Sequence, residues 1–246
     1  MINFDTITKK NNKRVLLYSG GMDSFIISKL AHWDVLLFID SNSRYSAIER
    51  EFLLRQKLNN LVIDVRLNLS DLEMESAMVP LRNLYFVMMG SYYGDTICLG
   101  STLGDRSTDK DHDFANLSSS LLSHIYKKSW WCEGRKIFID LTWKKFTKGD
   151  LIYKYLDLEF PLEDLITKSF SCYYPINGRA CGKCKPCIRK WISLLPYKDT
   201  KDMFVEDPRK HFTIDLIEGL KKNQGTIFSR GKEDQEVIEI YEQFIR

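Results

Sequence analysis

Residues 16–24, Leu-Leu-Tyr-Ser-Gly-Gly-Met-Asp-Ser, constrain this chain more than any other stretch. The apolar run over Arg14–Tyr18 predicts a buried strand, Ser19-Gly20-Gly21 a tight turn, and Met22–Ser24 the opening of a helix. Two adjacent glycines let the backbone reverse sharply and approach a ligand with no Cβ in the way. The helix that follows turns its unpaired N–H groups and positive dipole end back on the turn. Ser19 and Ser24 add hydroxyls, and Asp23 adds a carboxylate suited to a magnesium ion beside phosphates. A loop of this make-up suits a pyrophosphate. It lacks the Gly-Lys-Ser/Thr ending of a Walker loop, so γ-phosphoryl transfer is not implied. A plain N-cap with a Gly-Gly turn is the alternative, since Ser and Asp cap well.

At 246 residues the length suits one α/β domain with an appendage. Apolar content of 44% and charged content of 28% are ordinary for a globular protein. A net charge of +3 permits nucleic-acid contact without arguing for it, and direct binding is not expected. The longest apolar run, Leu30–Ile39, is broken by His32 and Asp34, so no membrane span is expected. The first 14 residues are polar with scattered apolar ones, unlike a signal peptide. A cytoplasmic location is therefore expected, and the cysteines read as metal ligands or catalytic groups before disulfides.

Strands and helices alternate along the chain. Asp23–Leu30 predicts the first helix and Val35–Asp40 the second buried strand. Tyr45, Ile48 and Phe52 share a face of a second helix ending near Leu58, and Leu61–Leu67 reads as a strand near a sheet edge. Pro80 suits the first turn of an apolar helix reaching Tyr93. Thr96–Gly100 and Lys136–Leu141 complete five strands; between them lie the polar segment Ser101–Asp113 and a helix to about Tyr126. This order predicts a doubly wound, parallel five-stranded sheet, with ligands beyond the carboxyl ends of its strands. The Ser19–Ser24 loop, Asp40 and the Ser101–Asp113 loop fall on that rim. We expect an ATP-binding domain over 1–165, a cysteine segment over 166–195 and a helical extension over 196–246.

Cys172-x8-Cys181-x2-Cys184-x2-Cys187 gathers four of the six cysteines, with Gly178 and Gly182 freeing the backbone to bring the sulfurs together. Four thiolates on a turn-rich segment match a closed structural zinc site; an iron–sulfur cluster is the competing use. Cys98 and Cys132 read as unligated thiols, and His32, His112, His124 and His211 show no ligand spacing.

Ser-Gly-Gly-Met-Asp-Ser resembles the S-G-G-x-D-S loop of the PP-loop ATP pyrophosphatases, which adenylate a substrate oxygen and release pyrophosphate. Together with Phe170-Ser171-Cys172-Tyr173 and the Cys181–Arg189 stretch, it resembles the 7-cyano-7-deazaguanine synthase family of that superfamily. Val79-Pro80-Leu81-Arg82-Asn83 is similar to the family's V-P-x-R-N, Gly100 through Asp105 to its fourth-strand exit, and Lys148 to its lysine before the next helix. The likeness spans about residues 13–195.

The resemblance implies an enzyme that adenylates the carboxylate of 7-carboxy-7-deazaguanine with ATP and uses ammonia to form the amide and then the nitrile. It implies ATP binding by Tyr18, Ser19, Gly20, Gly21, Met22, Asp23 and Ser24 with Asp40 and Gly100. Asp23 would hold Mg2+, and Arg82 and Lys148 would stabilise charge during catalysis. Arg82, Asn83, Asp105 and Asp111 would contact the substrate; Cys172, Cys181, Cys184 and Cys187 would hold Zn2+; and the protein would form a homodimer. Arg82-Asn83 as a helix start, Lys148 as a solvated lysine and Asp40 as a strand end are the plain alternatives. The sequence departs from the family at Asp40-Ser41-Asn42-Ser43-Arg44, where Tyr-Gly-Gln is usual, and at Thr108–His112, where G-Y-P-D-C is usual. A tail, Pro196–Arg246, follows, and its last helix aligns Val237, Ile240, Tyr241 and Phe244 to pack on the core or on a partner. A divergent member could stop at the amide or join a deazaguanine to another amine. A tRNA-modifying PP-loop enzyme would need a catalytic cysteine pair or an added basic domain. A zinc-ribbon nucleic-acid module could use Trp130-Trp131 among Lys127, Lys128, Arg135 and Lys136.

Overall fold

The computed structural model describes residues 7–245. Its sheet has five parallel strands: β1 (Arg14–Leu17), β2 (Val35–Ile39), β3 (Leu61–Asp64), β4 (Thr96–Cys98) and β5 (Phe138–Asp140), in the order β3-β2-β1-β4-β5. Every residue of β2 is buried, as its unbroken Val-Leu-Leu-Phe-Ile run requires of a strand covered on both faces. Leu61–Ile63 of β3 are half-buried, in keeping with an edge. Register is regular: Leu16 faces Leu36 on one side and Cys98 on the other.

The helices are α1 (Met22–Leu30), α2 (Ser46–Arg55), α3 (Arg82–Gly90), α4 (His112–Ile125), α5 (Lys148–Asp157), α6 (Leu162–Thr167), α7 (Lys185–Leu194), α8 (Ile214–Asn223) and α9 (Lys232–Phe244). The strands stop a residue or more short of their apolar runs. α3 starts at Arg82, so Pro80 lies before the helix and not in its first turn. Leu81, between them, is left-handed at φ 61°.

The chain divides into two compact units. The first holds the described residues up to Ser19, Ile27–Ser101 and Ser107–Lys144. Its core joins Val87, Ile97, Leu122, Ile137 and Ile139, with a second cluster of Val15, Val35, Leu37 and Ile39. Arg135 is buried there: it is ion-paired to Asp95 and donates to the carbonyls of Ile7, Ser91 and Gly94. It therefore does not join the surface lysines beside Trp130, although Trp130 itself is 96% exposed.

The second unit holds Gly20–Ile26, Thr102–Arg106 and the described chain from Lys145 onward. Its core is built on the four cysteines of the 172–187 segment together with Trp191, Ile192, Phe204, Phe212, Ile217 and Ile238. Of the expected stripe on the last helix, Val237, Ile240 and Tyr241 pack against this core, whereas Phe244 is exposed and Ile238 supplies the buried contact. No helix among the described residues is long and apolar enough to cross a membrane.

Candidate functional site

The order 3-2-1-4-5 places the topological switch point between β1 and β4, where doubly wound sheets bind ligands beyond the strand ends. Beyond the paired part of β1, Tyr18 N donates to Leu37 O at 2.8 Å; after β4, Gly100 takes a left-handed φ of 64°. The Tyr18 and Ser101 hydroxyls in these two exits are buried without a hydrogen-bond partner among the described residues. Burial also raises the Tyr18 phenol well above its ordinary value. An orphaned buried hydroxyl is costly and suits a place where a ligand completes the bonding.

After Tyr18 the chain enters the glycine loop. Gly20 is left-handed at φ 71°. Gly21 O accepts Phe25 N at 2.9 Å and Ser24 Oγ at 3.0 Å, which closes the first turn of α1. Gly20 O accepts Phe170 N at 2.8 Å, tying the loop to the segment that runs into the cysteines. Asp23, in the first turn of α1, is ion-paired with Lys148, the first residue of α5. The start of α5 is locked by a capping box in which Thr147 and Asp150 exchange hydrogen bonds at 3.0 and 2.9 Å. The Lys148 side chain is 13% exposed and that of Asp23 32%, so neither is a solvated surface charge.

In the same unit, Asp105 Oδ2 accepts Thr102 N at 2.9 Å, and Leu103 N donates to Phe146 O at 2.8 Å. Arg230 from the C-terminal tail lies 4.0 Å from Asp105 and bonds Glu233 at 2.6 Å. Lys190, buried on α7, donates to Ile166 O, Ser169 O and Ser169 Oγ, and desolvation brings it down to about 7. Sequence reading missed Arg230, Glu233 and Lys190. The one signal for the tail pair was a Gly followed by Lys-Glu-Asp, which announces only an acidic helix start.

The other expected residues belong to the first unit. Asp40 is buried and accepts Arg50 Nη1 at 2.6 Å and Asn42 N at 2.9 Å, so it anchors the 40–50 segment. Arg82 is half-buried over the Phe86 ring, and Asn83 is buried in the first turn of α3. Glu49 on α2, not foreseen, is pushed up to about 7 by burial, against the pull of the Arg82 charge and with a push from Asp40. Asp111 caps α4 through Phe114 N at 2.8 Å, which accounts for its side chain structurally.

The four expected metal ligands converge. Cys172, Cys181, Cys184 and Cys187 are all buried, and their sulfurs all lie within 4.8 Å of one another. Cys184 and Cys187 Sγ are 3.3 Å apart, Cys181 and Cys187 Sγ 3.9 Å. Gly182 makes the turn possible at φ 90°, with no room for a Cβ beside the Glu206 carbonyl. Hydrogen bonds from Cys172 and Cys187 hold the Cys184 thiol well below its ordinary value, while Cys172 and Cys187 are pushed up.

The model of the family "Queuosine biosynthesis protein QueC" matches residues 42–196. Two 7-cyano-7-deazaguanine synthases of Leptospira interrogans, from serovars copenhageni and Lai, are each 27% identical, over 76% of this chain and 88% of theirs. Among solved structures, the U34-tRNA thiolase NcsA from Methanococcus maripaludis, described with its four-iron four-sulfur cluster, is 15% identical at a TM-score of 0.33, covering 98% of this chain and 75% of that one. With the family model spanning well over half of its length, the chain belongs to the queuosine biosynthesis protein QueC family and is an ATP-dependent enzyme that forms carbon–nitrogen bonds.

Proposed function

We propose that this enzyme activates the carboxylate of 7-carboxy-7-deazaguanine with ATP and converts it to 7-cyano-7-deazaguanine. A substrate carboxylate oxygen attacks the α-phosphorus, giving an acyl-adenylate and pyrophosphate. Ammonia displaces AMP, and a proton leaves the nitrogen to give the amide. The amide oxygen attacks the α-phosphorus of a second ATP with release of a second pyrophosphate, and loss of AMP, carrying the amide oxygen, with the two nitrogen protons gives the nitrile. The chemistry needs positioning and charge stabilisation, with no covalent nucleophile.

The observation that carries this reading is the Asp23–Lys148 pair, held by two helix starts directly beside the glycine loop in a chain of this family. The loop amides with Ser19 and Ser24 would hold the β- and γ-phosphates, and Asp23 would hold Mg2+, which would supply charge neutralisation at the phosphates. Lys148 and Arg82 would stabilise charge at the α-phosphate or the substrate carboxylate, and Asp40 and Gly100 would line the ATP site. Asn83, Asp105 and Asp111 are the proposed substrate contacts.

The four cysteines fit a structural Zn2+. Zinc–sulfur bonds of about 2.3 Å in a tetrahedron put the sulfurs roughly 3.8 Å apart, close to the 3.3 and 3.9 Å separations here. A four-iron cluster would hold its thiolates farther apart, because the cluster body lies between them. A homodimer is part of the proposal. Leu117, Leu121 and Ile125 form an exposed stripe on α4, and Phe138 is exposed on the edge strand β5; this is an apolar face that a second copy would cover. We also propose a cytoplasmic location and no direct nucleic-acid binding.

The test is mass spectrometry of products from purified protein with 7-carboxy-7-deazaguanine, ATP, Mg2+ and ammonium, with AMP and pyrophosphate followed in parallel. The nitrile is expected. Amide alone would favour the second reading, a variant that stops one step early, which the altered 40–44 and 108–112 segments motivate. Neither product, with ATP still bound, would overturn both.

A further inference from the structure

The C-terminal tail lies beyond the residues that match the family model, yet it packs onto the two stretches of the second unit that carry Lys148 and Asp105. Glu236 of α9 accepts the hydroxyl of Thr147, the cap before Lys148, at 2.8 Å. Lys232 bonds Asp150, the other half of that capping box. Glu233 reaches the 102–106 segment: a Cβ on Gly104 would overlap its carboxylate. Its position is fixed from below, because Asp234 Oδ2 takes the backbone N–H of Arg230 at 2.6 Å and so sets the start of α9.

Glu233 has an unfinished hydrogen-bond set. The residue is 6% exposed; Oε2 takes Arg230 at 2.6 Å, and Oε1 is buried with no partner among the described residues. A buried carboxylate oxygen without a donor is costly, so a native chain keeps one where a ligand supplies the donor. Arg230 also lies 4.0 Å from Asp105, so the Glu233 carboxylate is linked through Arg230 to a residue proposed above to contact the substrate.

We propose that Glu233 is a specificity-determining residue whose Oε1 accepts an N–H of the exocyclic amine of a guanine-like base, so that the tail reads the substrate. The proposal rests on the deazaguanine reading above. A site built around an acceptor rejects an analogue that lacks the donor far better than an apolar wall would.

The test uses the full chain and follows pyrophosphate release with 7-carboxy-7-deazaguanine and with the analogue lacking the 2-amino group. The unaltered enzyme should prefer the amino base. In Glu233→Gln the amide oxygen must serve Arg230, which turns an NH2 toward the substrate donor. The KM for the amino base should then rise about 10- to 100-fold, as for loss of a charge-assisted bond. The KM for ATP and that for the analogue should stay unchanged. Gly104→Ala, which drives the carboxylate away without altering its chemistry, should give the same split, with the thermal midpoint reporting intact folding. Unchanged discrimination in both folded variants, or equal losses for the two bases, overturns the proposal. No pyrophosphate from the unaltered enzyme with either base overturns the deazaguanine reading itself, and does so before any variant is compared.

Discussion

Lys148 and Asp23 form a direct ion pair, each from the first turn of its own helix. A carboxylate is favoured at a helix N-terminus and an ammonium is not, so Lys148 holds its place against the dipole of α5. A charge kept where the fold disfavours it suits a functional role better than a stabilising one. Asp23→Ala should abolish pyrophosphate release, and Lys148→Met should lower kcat by about 100- to 1000-fold, the usual loss for one preorganised charge stabiliser. A continuous pyrophosphate assay decides it; full turnover by Asp23→Ala would remove the loop from the chemistry.

The cysteine cluster is also the centre of a hydrophobic core that includes Trp191, which is fully buried, and Ile238 of α9. Metal removal should therefore loosen the tail as well as the knuckle. Cys184→Ser, or prolonged chelation, should lower the thermal midpoint and shift tryptophan emission to the red, with metal content falling to zero. Unchanged emission and midpoint in a metal-free sample would mean that the sulfurs hold themselves together.

Glu49 gives a pH dependence whose sign is set by its raised value. Folded, it titrates at about 7, and its ordinary value is 4.5. Between those limits the folded state binds more protons than the unfolded one, so its contribution is fully present below about 4.5 and lost as pH rises through 7. Glu49→Gln removes that loss. Urea midpoints should show the variant gaining on the parent between pH 5 and pH 8; a constant difference would place the carboxyl in water.

The parts legible in the sequence were those written in local pattern. An unbroken apolar run required a strand covered on both faces at Val35–Ile39, and two CxxC steps sharing a cysteine required converging sulfurs. Glu233 was not legible because what distinguishes it is burial among residues distant in the chain, and Glu49 because the charges that act on it, Arg82 and Asp40, come from other elements; a glutamate on an amphipathic helix reads as solvated. Arg135 misled for a like reason: five residues from the exposed Trp130, it looks like part of a basic patch, yet its partner Asp95 lies 40 positions away. Asp111 kept a register shared with the family, but its visible work is to cap a helix.

Pro80 was expected inside a helix, and the difference leads to a last prediction. Proline fixes its own φ, but it does not dictate the next residue, and here Leu81 turns left-handed at φ 61° while 62% exposed. For a branched aliphatic side chain that conformation costs roughly 1–2 kcal/mol. The carbonyl of Leu81 nevertheless receives Leu84 N at 3.0 Å and Tyr85 N at 3.2 Å, so the strained residue is what starts α3 and sets the direction of Arg82 and Asn83. Strain kept beside proposed substrate contacts points to positioning. Leu81→Gly should stabilise the protein by about 1 kcal/mol, because glycine tolerates the conformation and little packing is lost. It should also lower kcat/KM, because the start of the helix becomes freer. Denaturation and kinetics on the same sample decide it. A gain in stability with unchanged kinetics would make the strained turn a feature of the fold alone; a loss of stability would mean that the Leu81 side chain matters more than its backbone.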